Sequence, residues 1–479
     1  MCMDRAAEHG WPAKYRLWLR RKKWGIFMGK YFGTDGVRGK ANVELTPELA
    51  VSIGRAAAMV LAHRKSSKQR PQVLIGRDTR ISGQMLESAI AAGLMAAGAD
   101  VYLVGVVPTP AVAYLVRRYQ MDAGVMISAS HNPFEDNGIK LFSREGYKLS
   151  DATEAEMEEI MDGKIPYHCP QPDALGSSYN LHGKAVEDYA EYLRGTVPGL
   201  QLDGLTIAFD CSNGSASMTA QKVFQGFGAR CLFLSDTPDG CNINKDCGST
   251  HLKQLQRFVQ ENHCDLGFAF DGDADRCLAV DHQGNTVDGD QLIAICALHM
   301  KQSGVLRGNS AVVTVMSNLG FFRFAQREGI STEITKVGDR YVLERMLEKG
   351  YNIGGEQSGH IIFSDYMPTG DGQLSALQVL SVMAQSGRTL EQLAQVMETF
   401  PQVLHNLRVT PEQRSRYDHN PQVEECVRRY QQSLGEEGRI LVRPSGTEPL
   451  IRVMVEGKET EKIRALAQQI GEEILHFIE

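Results

Sequence analysis

The chain has 479 residues, of which 42% are hydrophobic and 23% charged, and its formal net charge is −7. This is the composition of a soluble globular protein of about three or four domains, and its acidic balance argues against a nucleic-acid partner. The ten cysteines stand singly without a C-x-x-C pair and no long apolar run occurs, so we expect a reduced, cytoplasmic protein with neither a disulfide framework nor a membrane partner.

The first 27 residues differ from the rest of the chain. They contain seven Lys or Arg residues, two acidic residues and all three tryptophans. A signal peptide would follow its basic segment with an apolar run, and that run is missing here. We therefore predict that residues 1–27 are a basic extension, disordered or not native, and that Met28 is the working start.

From Met28 onward, short β-rich runs alternate with helical stretches. Residues 45–64 predict a helix with Pro47 at its first position, which suits proline because that N–H needs no partner. Residues 71–80 predict a strand that ends in a polar loop, and residues 82–97 predict a second helix. This alternation predicts a sheet with covering helices.

The same unit recurs further along the chain. A strand, a polar loop and the start of a helix are predicted at 205–217 and again at 310–320. Residues 438–457 instead predict two strands around a loop, with a long helix after them. We interpret the chain as α/β: three tandem, related α/β domains with mixed, mostly parallel sheets, and a smaller C-terminal α+β domain. The predicted domains are 28–182, 183–283, 284–395 and 396–479.

The stretch GVMISASHNPFEDNGIK places polar side chains directly after a predicted strand. Ser130 stands beside His131, and Lys140 closes the stretch. Ser130 could be an ordinary turn residue, because no Gly-x-Ser-x-Gly motif marks it as a strained nucleophile. Whether Ser130 reacts therefore depends on the groups that the fold brings to it.

A second polar loop, FAFDGDADRCLAV, places Asp271, Asp273 and Asp275 at the end of an apolar run. These carboxylates repel one another unless a cation neutralises them, so a hard divalent ion is predicted. The EF-hand pattern fails, because Arg276 and His282 stand where that loop needs glycine and glutamate. A solvated acidic turn is the alternative.

Three glycine-containing loops carry groups that bind anions or hydroxyls. FGTDGVRG offers Arg38 for a phosphate, and GGEQSGHIIF offers Glu356, Ser358 and His360 for sugar hydroxyls or an amine. RPSGTEPLIR combines guanidinium, hydroxyl and backbone N–H groups, which is the chemistry of phosphate capture. Its candidate residues are Arg443, Ser445, Gly446, Thr447 and Arg452. Plain turns with exposed side chains are the alternative for each loop.

A serine, an acidic triad and phosphate-binding loops together indicate phosphoryl transfer. Acyl transfer would require a histidine and a carboxylate that orient each other around the serine, and no motif predicts that arrangement. A serine that carries phosphate needs electrostatic help. A divalent ion and the cations Lys140, Arg38 and His131 would supply it.

Five loops, in order, resemble the signature loops of the α-D-phosphohexomutases: GTDGVRG, ISASHNPFEDNGIK, DGDADR, GGEQSGH and RPSGTEP. PDGCNINKDCGSTH and TKVGDRYV resemble the bacterial branch that acts on glucosamine phosphates. The resemblance implies a fold of four domains around a central cleft. It also implies an enzyme that interconverts glucosamine 6-phosphate and glucosamine 1-phosphate, in the route to UDP-N-acetylglucosamine. The reaction would pass through a phosphoserine and a 1,6-bisphosphate. A mutase for neutral hexose phosphates is the alternative within the family. A phosphosugar-binding protein and a metal-dependent phosphatase are the alternatives outside it.

The resemblance also implies the roles of single residues. It makes Ser130 the phosphoserine, with Arg38 and His131 beside it, and it makes Lys140 and His360 acid/base groups. One Mg²⁺ per subunit would be held by Ser130, Asp271, Asp273 and Asp275. The implied substrate contacts are Glu356, Ser358, Gly338, Asp339, Arg443, Ser445, Gly446, Thr447 and Arg452.

The expected partner is a small phosphosugar substrate. Glucosamine 1,6-bisphosphate is a possible activator. Related enzymes are often dimers, so a homodimer is one option. The first phosphate on Ser130 could come from the bisphosphate sugar or from a protein kinase.

Overall fold

The computed structural model describes residues 29–33, 35–64, 70–418, 420–445 and 449–479. The predicted basic extension at 1–27 and the predicted start at Met28 lie outside these described residues, and so do Gly446 and Thr447. Within the described ranges, no helix is long and apolar enough to cross a membrane.

The first sheet has six strands and carries the serine loop. The strands are β1 (Val37–Lys40), β2 (Gln72–Arg77), β3 (Asp100–Val106), β4 (Ala123–Ile127), β5 (Asp136–Ser143) and β6 (Ser178–Asn180). They lie in the order β1-β5-β4-β2-β3-β6. The four strands from β4 to β6 in this order pair in parallel, whereas β5 pairs antiparallel with β1 and β4.

Helices cover both faces of the first sheet. They are α1 (Pro47–Arg64), α2 (Gly83–Ala96), α3 (Thr109–Arg118) and α4 (Asp151–Met161). Val73 and Ile75 of β2 share a core with α1, α2 and α4, whereas Leu74 between them shares a core with α3. Alternate residues of a strand point to opposite faces, so an unbroken apolar run is what a sheet covered on both faces requires.

The second sheet has five strands and carries the aspartate turn. The strands are β7 (Thr206–Asp210), β8 (Arg230–Leu234), β9 (Leu266–Phe270), β10 (Cys277–Asp281) and β11 (Thr286–Val287), in the order β11-β10-β9-β7-β8. β7 pairs in parallel with β8 and β9, whereas β10 pairs antiparallel with β9 and β11. Its helices are α5 (His182–Gly195), α6 (Ala216–Phe224) and α7 (Lys253–Glu261).

The third sheet has four strands and carries the predicted sugar loop. The strands are β12 (Ser310–Thr314), β13 (Ser331–Thr335), β14 (Ile353–Gly355) and β15 (Ile361–Phe363), in the order β13-β12-β14-β15. β12 pairs in parallel with both of its neighbours, and β14 and β15 form an antiparallel hairpin. Its helices are α8 (Gly289–Gln302), α9 (Leu319–Glu328), α10 (Asp339–Lys349), α11 (Gly372–Ser386) and α12 (Leu390–Ala394).

The last part of the chain forms a small antiparallel sheet. The strands β16 (Gln402–Arg408), β17 (Gly438–Pro444) and β18 (Leu450–Gly457) lie in the order β16-β18-β17. The helices are α13 (Pro411–Tyr417), α14 (Pro421–Leu434) and α15 (Thr460–Ile478). The predicted fold class, three α/β domains with mixed sheets and a smaller C-terminal α+β domain, is confirmed.

The hydrophobic cores divide the molecule unequally. One continuous core joins the first three sheets and includes Leu115 of α3, Phe209 of β7 and Leu377 of α11. The fourth sheet has a core of its own, built around Val453 and Ile470. The first three domains therefore pack as one body, whereas the fourth is stabilised separately.

Candidate functional site

Ser130 lies in the loop after β4, on a strained backbone. Its φ is 53°, in the left-handed region that costs a non-glycine residue about 1 kcal/mol or more. The Ser130 N–H donates to Ser128 Oγ at 2.9 Å, and the Ser130 carbonyl accepts from Arg80 and Asn244, each at 2.9 Å. The backbone on both sides of the serine is therefore fixed, although no Gly-x-Ser-x-Gly motif marks the position.

The buried Arg80 side chain organises this loop. It is 1% exposed, and it donates to Asp78 Oδ2 at 2.8 Å and to the carbonyls of Asn132 and Asp136, each at 2.9 Å. Ser128 Oγ donates to the same Asp78 oxygen at 2.7 Å. Asp78 and Arg80 were not predicted as site residues. The signal that could have found them is their place directly after β2, because the carboxyl ends of the parallel strands β2 and β4 are adjacent.

The three predicted aspartates lie in the turn between β9 and β10, and they meet the serine. All three are buried, and one carboxylate oxygen of each lies within 4.8 Å of the others. Ser130 Oγ donates to Asp271 Oδ2 at 2.6 Å. Gly272 permits this approach, because a Cβ there would lie 2.6 Å from the Ser130 carbonyl oxygen. The structure thus brings the serine loop and the acidic turn together.

Two buried oxygens of the acidic turn accept no hydrogen bond from the part of the chain that the structure describes. Asp273 Oδ1 and Asp275 Oδ1 are buried without a hydrogen-bond partner among the described residues. Burial, followed by the charges of the other two aspartates, raises the pKa of Asp271 well above its ordinary value. Burial alone would also raise the pKa of Asp275, but the hydrogen bond and charge of His360 outweigh it and lower that pKa. Such an oxygen set fits a hard divalent cation such as Mg²⁺.

Lys140 is the buried cation of the site. Its Nζ lies 2.9 Å from Asp273 Oδ2 and 3.3 Å from Asp35 Oδ2. Burial alone would lower the pKa of Lys140, but these two carboxylates outweigh it and raise that pKa. Thr109 Oγ1 donates to the same Asp273 oxygen at 2.5 Å, and Arg38 pairs with Asp35. Asp35 and Thr109 were not predicted.

His131 lies beside Ser130, and the positive charge that the sequence analysis gives it stays a prediction. Its Nδ1 lies 3.4 Å from Ser130 Oγ. Burial, and then the charges of Arg276 and Arg38, lower the pKa of His131 to about 4. Arg276 is a further cation at the acidic turn: its backbone N–H donates to Asp271 Oδ1 at 3.2 Å, and its Nε lies 3.9 Å from Asp275 Oδ1.

The third sheet brings His360 to the acidic turn. His360 is buried directly before β15, with Nδ1 3.6 Å from Asp275 Oδ2 and Nε2 3.8 Å from Asp339 Oδ2. Burial alone would lower the pKa of His360, but Asp275 and next Asp339 outweigh it and raise that pKa. The Gly370 N–H donates to His360 Nε2 at 3.1 Å, so a loop that was not predicted helps to orient the ring.

The other predicted sugar contacts lie around the same turn. Glu356 Oε1 accepts from the Gly338 N–H at 2.9 Å, which ties the loop after β14 to the start of α10. Asp339 is the first residue of α10, and Ser358 is exposed between Glu356 and His360. The loop after β14 and the start of α10 therefore lie together, next to the acidic turn that His360 contacts.

The predicted phosphate loop lies on the fourth sheet. Arg443 of β17 and Arg452 of β18 are opposite each other in register, and Ser445 is buried directly after β17. Burial, and then the charge of Arg452, lower the pKa of Arg443. Two guanidinium groups held side by side form a favourable site for an anion. Gly446 and Thr447 fall outside the described residues.

The family comparison matches the chain over nearly its whole length. The phosphoglucomutase/phosphomannomutase models match it as α/β/α domain I at 29–167, domain II at 187–284, domain III at 288–400 and the C-terminal domain at 388–473. The phosphoglucosamine mutase of Caldicellulosiruptor saccharolyticus is 52% identical over 446 residues, which cover 93% of this chain and 98% of that relative.

Solved structures show the same fold at lower sequence identity. A phosphoglucomutase/phosphomannomutase family protein from Burkholderia thailandensis is 23% identical with a TM-score of 0.77, over 94% of this chain and 97% of that one. The N-acetylphosphoglucosamine mutase of Aspergillus fumigatus, in complex with GlcNAc-6P and magnesium, is 17% identical with a TM-score of 0.68, over 95% and 96%. The chain belongs to the α-D-phosphohexomutase superfamily, in its family of phosphoglucosamine mutases.

Proposed function

We propose that the chain interconverts glucosamine 6-phosphate and glucosamine 1-phosphate by phosphoryl transfer to and from Ser130. The observation that supports this best is the hydrogen bond of Ser130 Oγ to Asp271 Oδ2 at 2.6 Å. A serine on a strained backbone, against an acidic turn with unpartnered oxygens, is suited to carry a phosphoryl group beside a divalent cation.

Mg²⁺ is the proposed cofactor. Asp271, Asp273 and Asp275 would hold it, together with a phosphate oxygen on Ser130, and the Aspergillus fumigatus relative was solved with magnesium. When bound, the ion would neutralise carboxylate and phosphate charge at the transferring group. The unpartnered oxygens of the turn are the features of this chain that support the assignment.

In the first half of the reaction, a sugar hydroxyl attacks the phosphorus of phospho-Ser130. The bond between phosphorus and Ser130 Oγ breaks and a bond to O1 or O6 of the sugar forms. The proton of the sugar hydroxyl passes to a base, and Ser130 Oγ takes a proton from an acid. His360 and Lys140 are the proposed acid/base groups, because each contacts an aspartate of the acidic turn, His360 at Asp275 and Lys140 at Asp273. Lys140 and Arg38 would also balance the charge of the phosphoryl group during transfer.

The second half returns the other phosphate of the 1,6-bisphosphate to Ser130. The sugar must therefore bind in two orientations, with one phosphate at the serine and the other at a distal clamp. Glu356, Ser358, Gly338 and Asp339 are the proposed sugar contacts. The proposed distal clamp consists of Arg443, Ser445, Gly446, Thr447 and Arg452. Because the fourth domain has its own core, we propose that it closes over the bisphosphate and excludes water.

The test combines a mass measurement with turnover. Intact-mass and peptide mapping of the purified protein should find phosphate on the Ser130 peptide, and Ser130→Ala should abolish turnover without changing the melting temperature Tm by more than a few degrees. Ser128→Ala is unsuitable as a control, because its hydroxyl supports the loop. Ser217→Ala is suitable, because that hydroxyl donates only to the nearby Gly214 carbonyl. Turnover retained in Ser130→Ala would contradict the proposal.

Substrate preference separates the two candidate mutases. We expect glucosamine 6-phosphate to be turned over faster than glucose 1-phosphate or mannose 1-phosphate, and the reverse order would favour the alternative on neutral hexose phosphates. Adding glucosamine 1,6-bisphosphate to dephosphorylated protein should restore turnover when the sugar is the phosphate donor. If only a protein kinase with ATP restores turnover, the first phosphorylation of Ser130 is assigned to a kinase.

A further inference from the structure

Lys148 was not among the predicted site residues, yet it lies between the loops that carry them. The turn after β5 folds back on that strand, so that Lys148 pairs with Phe142 in an antiparallel bridge. Gly146 makes this turn possible, because its φ is 80° and a Cβ there would lie 2.5 Å from the Ala113 carbonyl oxygen. The backbone of Lys148 is therefore fixed by the first sheet.

The Lys148 ammonium group bridges two carboxylates from different domains. Its Nζ lies 2.5 Å from Asp35 Oδ1 and 2.7 Å from Asp339 Oδ2. Asp35 precedes β1 in the first domain, and Asp339 begins α10 beside the third sheet. Burial alone would lower the pKa of Lys148, but Asp339 and Asp35 outweigh it and raise that pKa. The bridge is therefore fully charged near pH 7.

The bridge continues on both sides into groups of the proposed reaction. Asp35 Oδ2 lies 3.3 Å from Lys140 Nζ, which itself lies 2.9 Å from Asp273 Oδ2. On the other side, Asp339 Oδ2 lies 3.8 Å from His360 Nε2. Side chains of alternating charge thus connect all three α/β domains, in the order Asp339, Lys148, Asp35, Lys140 and Asp273.

Removing the Lys148 charge would disturb both ends of this row. Asp35 pairs with three cations, and Lys148 is one of them. Without Lys148, Asp35 would attract Lys140 more strongly and would draw its ammonium group away from Asp273. Asp339 would lose its nearest cation and would be repelled by Asp35. Shifts of about 1 Å in such groups change a reaction rate by on the order of 100-fold.

We propose that Lys148 is a positioning residue for phosphoryl transfer, because its bridge between Asp35 and Asp339 holds Lys140 and the start of α10 in place around Ser130. The inference rests on the proposed function and adds to it a residue outside the predicted set. Lys148 acts through the two carboxylates, so its loss should reduce kcat much more than it raises KM.

The experiment compares substitutions of Lys148 in the full chain, with glucosamine 6-phosphate as substrate. Lys148→Met should lower kcat by on the order of 100-fold, with KM raised less than about threefold and with Ser130 still phosphorylated by mass. Lys148→Arg keeps the charge and should retain kcat within about fivefold. Lys184→Met is the matched control, because Lys184 pairs with Asp188 at 2.6 Å on the exposed face of α5, and it should leave both constants unchanged.

A double substitution tests whether Lys148 acts through Asp339. In an Asp339→Asn background only the contact of Lys148 with Asp35 remains, so Lys148→Met should cost no more than about tenfold in kcat, because residues in contact are not additive. The same loss in both backgrounds would overturn the proposal. A KM raised more than tenfold with kcat unchanged would also overturn it, because that pattern marks a direct substrate ligand.

Failure of folding and failure of the proposed function can both be recognised. If Lys148→Met does not fold, Lys148→Gln replaces it, and wild-type turnover in a folded Lys148→Gln protein overturns the proposal. Activity retained in Ser130→Ala would remove the proposed function itself, whatever Lys148 does. A wild-type chain that prefers a neutral hexose phosphate changes only the substrate, and the Lys148 series is then measured with that sugar.

Discussion

Replacing Arg80 by lysine should disorganise the serine loop while leaving the fold intact. The Arg80 guanidinium donates to Asp78 and to the backbone carbonyls of Ser130, Asn132, Pro133 and Asp136. A lysine ammonium keeps the charge beside Asp78 but cannot reach acceptors spread along the loop, so at least two of the four hydrogen bonds to these carbonyls are lost. A hydrogen bond from a charged donor contributes about 1.5–3 kcal/mol, so the loss of two costs the native loop about 3–6 kcal/mol unless it opens to water.

Two measurements follow from this magnitude. The first thermal transition should fall by about 5–10 °C, since the loop can escape part of the cost by opening. Turnover should fall by on the order of 100-fold, because Ser130 would no longer be held against Asp271. Arg77→Lys, at the end of β2, is the matched control. It keeps a charge opposite Glu87, whose Oε2 lies 3.2 Å from Arg77 Nε, and it gives up one hydrogen bond to the Asp78 carbonyl, so it should cost no more than about 1.5 kcal/mol. Wild-type turnover and Tm in Arg80→Lys would refute the reasoning.

Three further predictions concern neighbouring parts of the site. Gly370→Ala would place a Cβ 2.5–2.6 Å from ring atoms of His360, so kcat should fall at least about tenfold. Gly183→Ala is the control, because no atom lies within 4 Å of the new Cβ, and it should leave kcat unchanged. Equal kcat in both variants would contradict a role for the orientation of the His360 ring in turnover. Glu158→Gln disturbs a carboxylate that accepts three backbone N–H groups at 3.0, 2.7 and 2.9 Å. It should lower the free energy of unfolding by about 1–3 kcal/mol and Tm by a few degrees. The exposed Glu159→Gln should leave Tm unchanged, and an equal fall in both variants would contradict a stabilising role for these three hydrogen bonds. Chelation of divalent ions should abolish turnover, and added Mg²⁺ should restore it and raise Tm; turnover that survives chelation would exclude the proposed cofactor.

The elements that sequence patterns predicted well are those whose signals are local. Pro47 at a helix start predicts α1 because the first N–H groups of a helix have no partners within it. The aspartate turn was predicted because three carboxylates at alternating positions repel one another wherever the turn lies. The antiparallel pairing of β5 with β1 was not predicted, because its signal is a register between strands about 100 residues apart.

The site residues that were missed act through contacts that sequence does not display. Lys148 stands in SREGYKLS, where it looks like any solvated lysine, and only packing brings it to Asp339, 191 positions later. Arg80 was missed because its acceptors are backbone carbonyls, which have no residue signature. The positive charge predicted for His131 rests on the titration of an isolated histidine near neutrality, and sequence does not display the burial and the neighbouring Arg276 that lower its pKa.

The arrangement of the cores explains how one site could accept the same phosphate at either end of a sugar. The serine, the acidic turn and the sugar loop stand on three domains that share one continuous core, so their mutual distances are set when these domains fold. The proposed distal clamp stands on a sheet with its own core, and Arg439 joins that sheet to the third domain through the Ser317 carbonyl at 2.7 Å. A bisphosphate that reverses its orientation between two half-reactions requires reacting groups at fixed positions and a distal clamp that can open and close. Placing the reacting groups in the shared core and the clamp outside it meets both needs.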